Sequence, residues 1–365
     1  MTNPCPCPDL EPDPDIAGIG VLLAFILLST LTLLASLFHL VLVESDHRRD
    51  PKHTVYSPFD RRARDLVARF SPHPVLRKTL FDLVLSLSDT QLVTGTAVLL
   101  ATIIRLHSAS SDVSVYHFSM AQNLGWLSSN AQLVGMLTVR VESVGSLKEG
   151  RRRKYVPVRS KGFWGEVMTS LRRWGDVKLR VVLMLVLAGL LLLYCSWVSG
   201  WEEWDAEYDC PARCALGEKK GGEPWRWMVV DFVLVVWTYV TRAFVLFSRR
   251  WQVWWLGKVR HLVVDEEARA QTTKGWRKVT RWVWYLFASE LLDILMIMIW
   301  FCLGITWIGM DLADVRTWAP EVRAKEENVE GFGQLVPLVL VVLPLFQVLQ
   351  SYCAQERETR NDETT

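Results

Sequence analysis

The chain has 365 residues, half of them hydrophobic, and a mean hydropathy of +0.17. Its apolar residues lie in long uncharged blocks, not in amphipathic stripes, which excludes an ordinary water-soluble globule. With 41 basic and 39 acidic residues the net charge is only +2, so there is no general excess of positive charge to bind nucleic acid.

A helix rises about 1.5 Å per residue, so about 20 residues cross a hydrocarbon core of roughly 30 Å. Residues 1–15 form a short Pro- and Cys-rich tail with Asp9, Glu11, Asp13 and Asp15 and no Lys or Arg. A cleaved signal peptide calls for a basic start, so the following segment is expected to remain as an anchor. Seven spans are then expected, at about 16–43, 79–104, 113–139, 181–198, 227–247, 282–310 and 333–352. The first is uncharged and the fourth contains the most apolar run. The third has no charge but carries His117, Gln122, Asn123, Asn130 and Gln132. Pro337 and Pro344 should kink the seventh. Residues 354–365 form a polar tail. The expected fold is all-α: a polytopic transmembrane helix bundle.

Loops rich in Lys and Arg stay in the cytosol. With the N-terminus outside, the cytosolic segments hold about 32 of the basic residues and the outer segments about 7. That asymmetry sets an odd number of spans and a cytosolic C-terminus. Trp197, Trp201, Trp204, Trp225, Trp227, Trp282 and Trp307 fall near span ends, where an indole meets both lipid and water.

Two cytosolic stretches have aromatic residues at helical spacing beside basic ones. One contains Trp164 and Trp174, the other Trp251, Trp254 and Trp255. They are expected to lie at the membrane interface against anionic cytosolic-leaflet lipids. The run Arg151-Arg152-Arg153-Lys154 reads as a topology determinant and lipid contact, with nucleic-acid binding the disfavoured alternative.

Cys5, Cys7, Cys210 and Cys214 all fall outside in this topology, where thiols oxidise. They could make disulfides in any of three connectivities. The outer loop holding Cys210 and Cys214 has no histidine, and no metal site or cofactor is expected.

Ionisable and amide side chains inside spans are costly and tend to face the bundle interior. The expected polar core is Asp89, Gln91, Asn123, Asn130, Gln132, Arg242, Glu290 and Asp293. Glu290 and Asp293 share a helix face, and Arg242 on the antiparallel neighbour is placed to pair with Glu290. Two roles compete: a site for a small molecule, proton or ion, and interhelical hydrogen bonding alone. Gly18, Gly20, Ser88 and Gly95 allow close helix approach.

No His-Glu-x-x-His, Gly-x-Ser-x-Gly or phosphate-binding glycine loop occurs, so no catalytic residue is assigned. Separated polar residues can still converge in space, which leaves an enzyme open.

Pro14-Asp15-Ile16-Ala17-Gly18-Ile19-Gly20-Val21 and Ser88-Asp89-Thr90-Gln91-Leu92-Val93-Thr94-Gly95 carry a resemblance. The chain resembles a group of uncharacterised multi-spanning integral membrane proteins of filamentous fungi. Ser57-Pro58-Phe59 and Leu124-Gly125-Trp126-Leu127-Ser128-Ser129 are similar to the same group. The resemblance implies a membrane-embedded fold and puts Asp89 and Gln91 in the group's most recognisable segment. It implies no activity.

The leading functional expectation is a receptor- or sensor-like seven-helix protein of the plasma membrane or another secretory-pathway membrane. The motifs of seven-helix receptors are missing: span three ends Val139-Arg140-Val141, and span seven contains no lysine. Fold likeness alone is a weak argument for function. The alternatives are a proton- or ion-coupled transporter using Asp89, Glu290 and Asp293, and a structural membrane organiser.

Overall fold

The computed structural model describes residues 9–43, 74–108, 113–150, 179–194, 210–212, 229, 232–233, 235–240, 289–328 and 332–364. Among these residues all regular structure is helical, apart from one isolated bridge between Ser114 and Pro211. In chain order the helices are α1 (Pro14–Ala17), α2 (Ile19–Val43), α3 (Pro74–His107), α4 (Val115–Gly150) and α5 (Leu179–Tyr194). After these come α6 (Glu290–Trp318), α7 (Pro320–Glu326) and α8 (Phe332–Thr364). Residues 235–240 are helical and lie within the expected fifth span.

Among the described residues four stretches are long and apolar enough to cross a membrane: Pro14–Leu40, Lys78–His107, Leu291–Trp318 and Gly333–Ala354. They match the first, second, sixth and seventh expected spans. The sixth is shifted: the described helix begins at Glu290, where the Ser289 hydroxyl accepts the Leu292 N–H, and continues past Met310 to Trp318. It passes Asp311 because that carboxylate is met by Asn123 from α4. The fourth expected span appears as the 16-residue α5, with residues 195–198 outside the described set.

The third expected span forms a single helix, α4, but it is too polar to count among the four apolar ones. Its position explains its composition. α4 packs against α2, α3 and α6, and nearly every residue from Val115 to Thr138 is buried. A helix surrounded by other helices needs no lipid-compatible surface, and its amides find partners on its neighbours. α8 is at the other extreme. It packs on α2 and α3 and exposes Val339, Val342, Phe346 and Leu349, as a lipid-facing helix should.

Small residues set the close approaches. A Cβ on Gly95 of α3 would collide with Ser128 of α4, and one on Gly135 of α4 would collide with Ser88 of α3. Gly18 and Gly20 make room for Gln334 of α8. Lipid tails are as apolar as leucine, so such backbone proximity and interhelical hydrogen bonds are what hold membrane helices together.

Replacing Gly95 with leucine should therefore separate α3 from α4 and destabilise the fold by about 1–3 kcal/mol. Gly189→Leu on α5, where a side chain meets open space, should be nearly neutral. Thermal melting of detergent-solubilised full-length protein, read by size-exclusion chromatography, compares the two; equal losses would contradict this packing.

Candidate functional site

Three groups of polar side chains lie within the bundle. The first is a ladder between α2, α3 and α4. Gln91 is fully buried; its Nε2 donates to the Phe25 carbonyl at 2.9 Å and to Ser29 Oγ at 3.1 Å. Its Oε1 accepts from Ser128 Oγ at 2.9 Å, so one amide joins three helices. About one turn earlier on α3, Ser88 Oγ donates to Gln132 Oε1 at 2.7 Å. Farther on, Thr138 Oγ1 donates to Ser36 Oγ at 3.3 Å. Tyr239 donates to Ser129 at 2.6 Å and ties the fifth-span segment to the same helix, α4. These pairs satisfy each other and leave little free polar surface, which is the pattern of helix association.

The second group closes the end of the bundle where α3 finishes and α4 begins. Glu326, at the end of α7, is fully buried. Its carboxylate faces His117 Nε2 at 2.8 Å and accepts from the Tyr116 hydroxyl at 3.3 Å. Arg323 Nη1 reaches it at 3.4 Å, and the Asp13 backbone N–H at 3.3 Å. Arg323 also donates to the Ala17 carbonyl, and Arg105 of α3 pairs with the Asp13 carboxylate. Gln334 of α8 donates to the carbonyls of Glu326 and Asn328 and accepts the Gly20 N–H. His117 Nδ1 lies 2.8 Å from Ser114 Oγ. On the surface of this knot the Arg316 guanidinium, hydrogen-bonded to Glu327, holds that carboxyl below its usual range. Burial opposes this shift and Arg323 adds to it. The Glu327 contribution to stability is therefore present above the ordinary carboxyl range and is lost as pH falls through the lowered value.

The third group borders a largely open cavity of about 620 Å³ on the flank of the bundle, between α3, α5 and α8. On α3 its wall is the stripe Asp82, Ser86, Asp89 and Thr90, one face of the helix at spacings of four, seven and eight. Asp89 Oδ2 meets Arg180 Nη2 of α5 at 2.6 Å. Ser86 Oγ donates to Gln347 Oε1 of α8 at 2.5 Å, and Ser351 Oγ donates to Asp82 Oδ2 at 2.8 Å. Leu340, Leu343 and Pro344 supply the apolar side. Asp89 is eleven residues beyond Lys78, where the apolar stretch starts, so it lies roughly 16 Å along the helix, near mid-depth.

The expected polar core is thus divided among several places. Asp89 is in the cavity, and Gln91 and Gln132 are in the ladder. Asn123 Nδ2 donates to Asp311 of α6 at 2.8 Å. Asn130 is buried, and among the described residues its Nδ2 has no hydrogen-bond partner. Asp293 is half-buried on α6, which packs on α4 and α2, whereas α3 packs on α4, α2 and α8. Among the described residues the helices of Asp89 and Asp293 thus make no extensive contact. Glu290 is the first residue of α6. Arg242, and with it the expected Arg242–Glu290 pair, lies outside the described residues, as do Trp164, Trp174, Trp251, Trp254 and Trp255.

Cys210 is disulfide-bonded. Its segment is laid against the start of α4: Val115 N–H donates to the Cys210 carbonyl at 2.9 Å, and Ala212 N–H to the Val113 carbonyl at 2.8 Å. Cys5, Cys7 and Cys214 lie outside the described residues. Among the described residues no group of His, Cys, Asp and Glu could hold a metal ion.

Sequence reasoning missed Arg180, Asp82, Ser86 and Gln347, and it missed the pairing of His117 with Glu326. The α3 stripe was a readable signal, because its polar positions repeat with the helical period. The His117–Glu326 contact joins residues 209 apart and left no local trace.

The chain is 32% identical over 124 residues to the elsinochromes biosynthesis cluster protein HP3 of Elsinoe fawcettii. The match covers 33% of this chain and 44% of that protein, so less than half of the relative's length is represented. No protein family and no solved structure matches the chain.

Removing the Glu326 carboxylate should strand His117 and Arg323. Glu326→Ala is expected to cost about 3–5 kcal/mol of stability, whereas Glu327→Ala on the surface should cost about 0–1 kcal/mol. Melting of both variants in detergent checks this ordering. For the cavity, a double-mutant cycle of Asp89→Asn and Arg180→Gln should give a coupling of about 1.5–3 kcal/mol. Additive losses would mean that the pair contributes nothing as a pair.

Proposed function

We propose that the chain is a receptor- or sensor-like integral membrane protein of seven helices that binds a small molecule in the cavity between α3, α5 and α8. Its N-terminus is outside the cytosol and its C-terminus inside, in the plasma membrane or another membrane of the secretory pathway. The observation that carries the binding half of this reading is the cavity itself. Its volume is in the range of small-molecule sites, roughly 300–1,000 Å³. It combines an apolar wall with a few convergent polar groups, and it holds a charge pair near mid-membrane depth, where charge is costly and tends to be functional.

The sensor half rests on how the cavity is built. Three helices meet there through side chains, and Pro344 interrupts the hydrogen-bond ladder of one of them. A ligand that favours one arrangement of α8 against α3 shifts the population of the bundle by its difference in affinity for the two arrangements. The disulfide at Cys210 supports an oxidising outer side, and the basic residues of the inner loops support the orientation. Resemblance to multi-spanning proteins of filamentous fungi, and a partial likeness to a protein named for a fungal biosynthesis cluster, support a fungal setting. Anionic lipids of the cytosolic leaflet are the proposed partners of the segments around Trp164 and Trp251.

A carrier that couples flux to Asp89, Glu290 and Asp293 together finds less support, because among the described residues α3 and α6 make no extensive contact.

Two measurements test the reading. Cysteine-accessibility labelling in sealed vesicles should modify positions near residue 9 and near residue 360 from opposite sides; labelling from one side removes the seven-span topology. In cells, Asp89→Asn protein at normal abundance should reproduce the transcriptional changes of a deletion. A deletion without any transcriptional change would remove the sensor role.

A further inference from the structure

Resting on the reading of this cavity as a ligand site, we propose that its occupant is an amphiphile carrying an ammonium group, bound through Asp82. The charge count points that way. The cavity contains two carboxylates, Asp82 and Asp89, and one guanidinium, Arg180. Arg180 is committed to Asp89 at 2.6 Å. Asp82 receives only the Ser351 hydroxyl at 2.8 Å, and among the described residues no cation lies in ion-pair contact with it. Lys78, one turn earlier on α3, is exposed and makes no ion pair with Asp82. Among the described residues Asp82 is therefore a carboxylate that borders the cavity without an ion-pair partner.

Its other walls fit the rest of such a molecule. Pro344 has no N–H to offer the Leu340 carbonyl one turn back, so that carbonyl lacks its usual donor, and both residues line the cavity. Gln347 and Ser86 place further polar atoms beside it. An ammonium group has three donors and no acceptor, which matches a carboxylate, a carbonyl and an amide oxygen better than an anion or an alcohol does. Leu343, Leu340 and Val93 receive the apolar body. The same chemistry is available from an aminophospholipid of the surrounding leaflet or from a free long-chain amine.

The test is native mass spectrometry of full-length protein in phosphatidylcholine nanodiscs, with dodecylammonium as probe and dodecanol as its neutral counterpart. Dodecylammonium should bind saturably and dodecanol should not. Asp82→Asn should weaken binding by about tenfold or more, the effect of losing one close charge pair, while Asp82→Glu keeps it. Leu343→Trp, which fills the cavity from α8 without altering charge, should abolish binding. Phosphatidylethanolamine added to the nanodisc distinguishes the two sources: competition identifies a lipid headgroup as the occupant, and no competition identifies a free amine, each consistent with the site. Equal binding of dodecanol, or unchanged affinity in Asp82→Asn at wild-type thermal stability, overturns the proposal. The measurement involves no signalling, so its failure is separate from failure of the sensor role in cells.

Discussion

A backbone or side-chain polar group in hydrocarbon must find its partner inside the protein, and the arrangement of this bundle follows from that requirement. Among the described residues α4 is a long helix whose amides and hydroxyls could not face lipid. Enclosing it resolves the conflict: α2 and α3 lie on one side, α6 on another, and α5 and the fifth-span segment reach it through Tyr194 and Tyr239. The outer helices can then be apolar on their free faces, and they are. Polarity on α4 is thus what gives the bundle a defined centre, because each amide–hydroxyl pair is satisfied in only one helix register.

The two ends of the bundle handle charge differently. Where α3 ends and α4 begins, Glu326, His117, Arg323 and Tyr116 are dry and mutually saturated, so this end acts as a rigid plug. Between α3, α5 and α8, by contrast, Asp82, Asp89 and Arg180 border an open volume; Arg180 pairs with Asp89, and Asp82 accepts from Ser351. Saturation favours a structural role and incomplete saturation favours recognition. The polar residues of the interior therefore divide by how fully they are paired, not by type: Gln91 serves cohesion, while Gln347 borders a space that another molecule can enter.

Much of the architecture could be read from the sequence because hydrophobic length is a direct physical code for a span. The apolar blocks beginning near Ile16, Leu83, Val181 and Gly333 became helices close to where they were expected. The helix of the sixth expected span runs on past Met310 to Trp318, and Asp311 within it is received by Asn123, 188 residues earlier, a contact that leaves no local trace in the sequence. Single interior residues such as Asp89, Gln91 and Gln132 could be picked out by their place in apolar blocks, but their grouping could not. Periodicity assigns a face within one helix, and it says nothing about which neighbour that face will meet. Asp89 was recognised for its depth, whereas Arg180 was read only as one more cytosolic positive charge.

The plug between Glu326 and the N-terminal segment joins residues more than three hundred positions apart: Asp13 with Glu326, and Gly20 with Gln334. During synthesis the first helix enters the membrane long before its end partners have been translated. Until the last helix arrives, the Asp13 amide and the Gly20 amide must be held by water, lipid headgroups or an insertion chaperone. The bundle can therefore lock only after translation is nearly finished, and a nascent chain cut short before Glu326 would expose unfilled donors at its very beginning, a mark by which cellular quality control could tell incomplete molecules from finished ones.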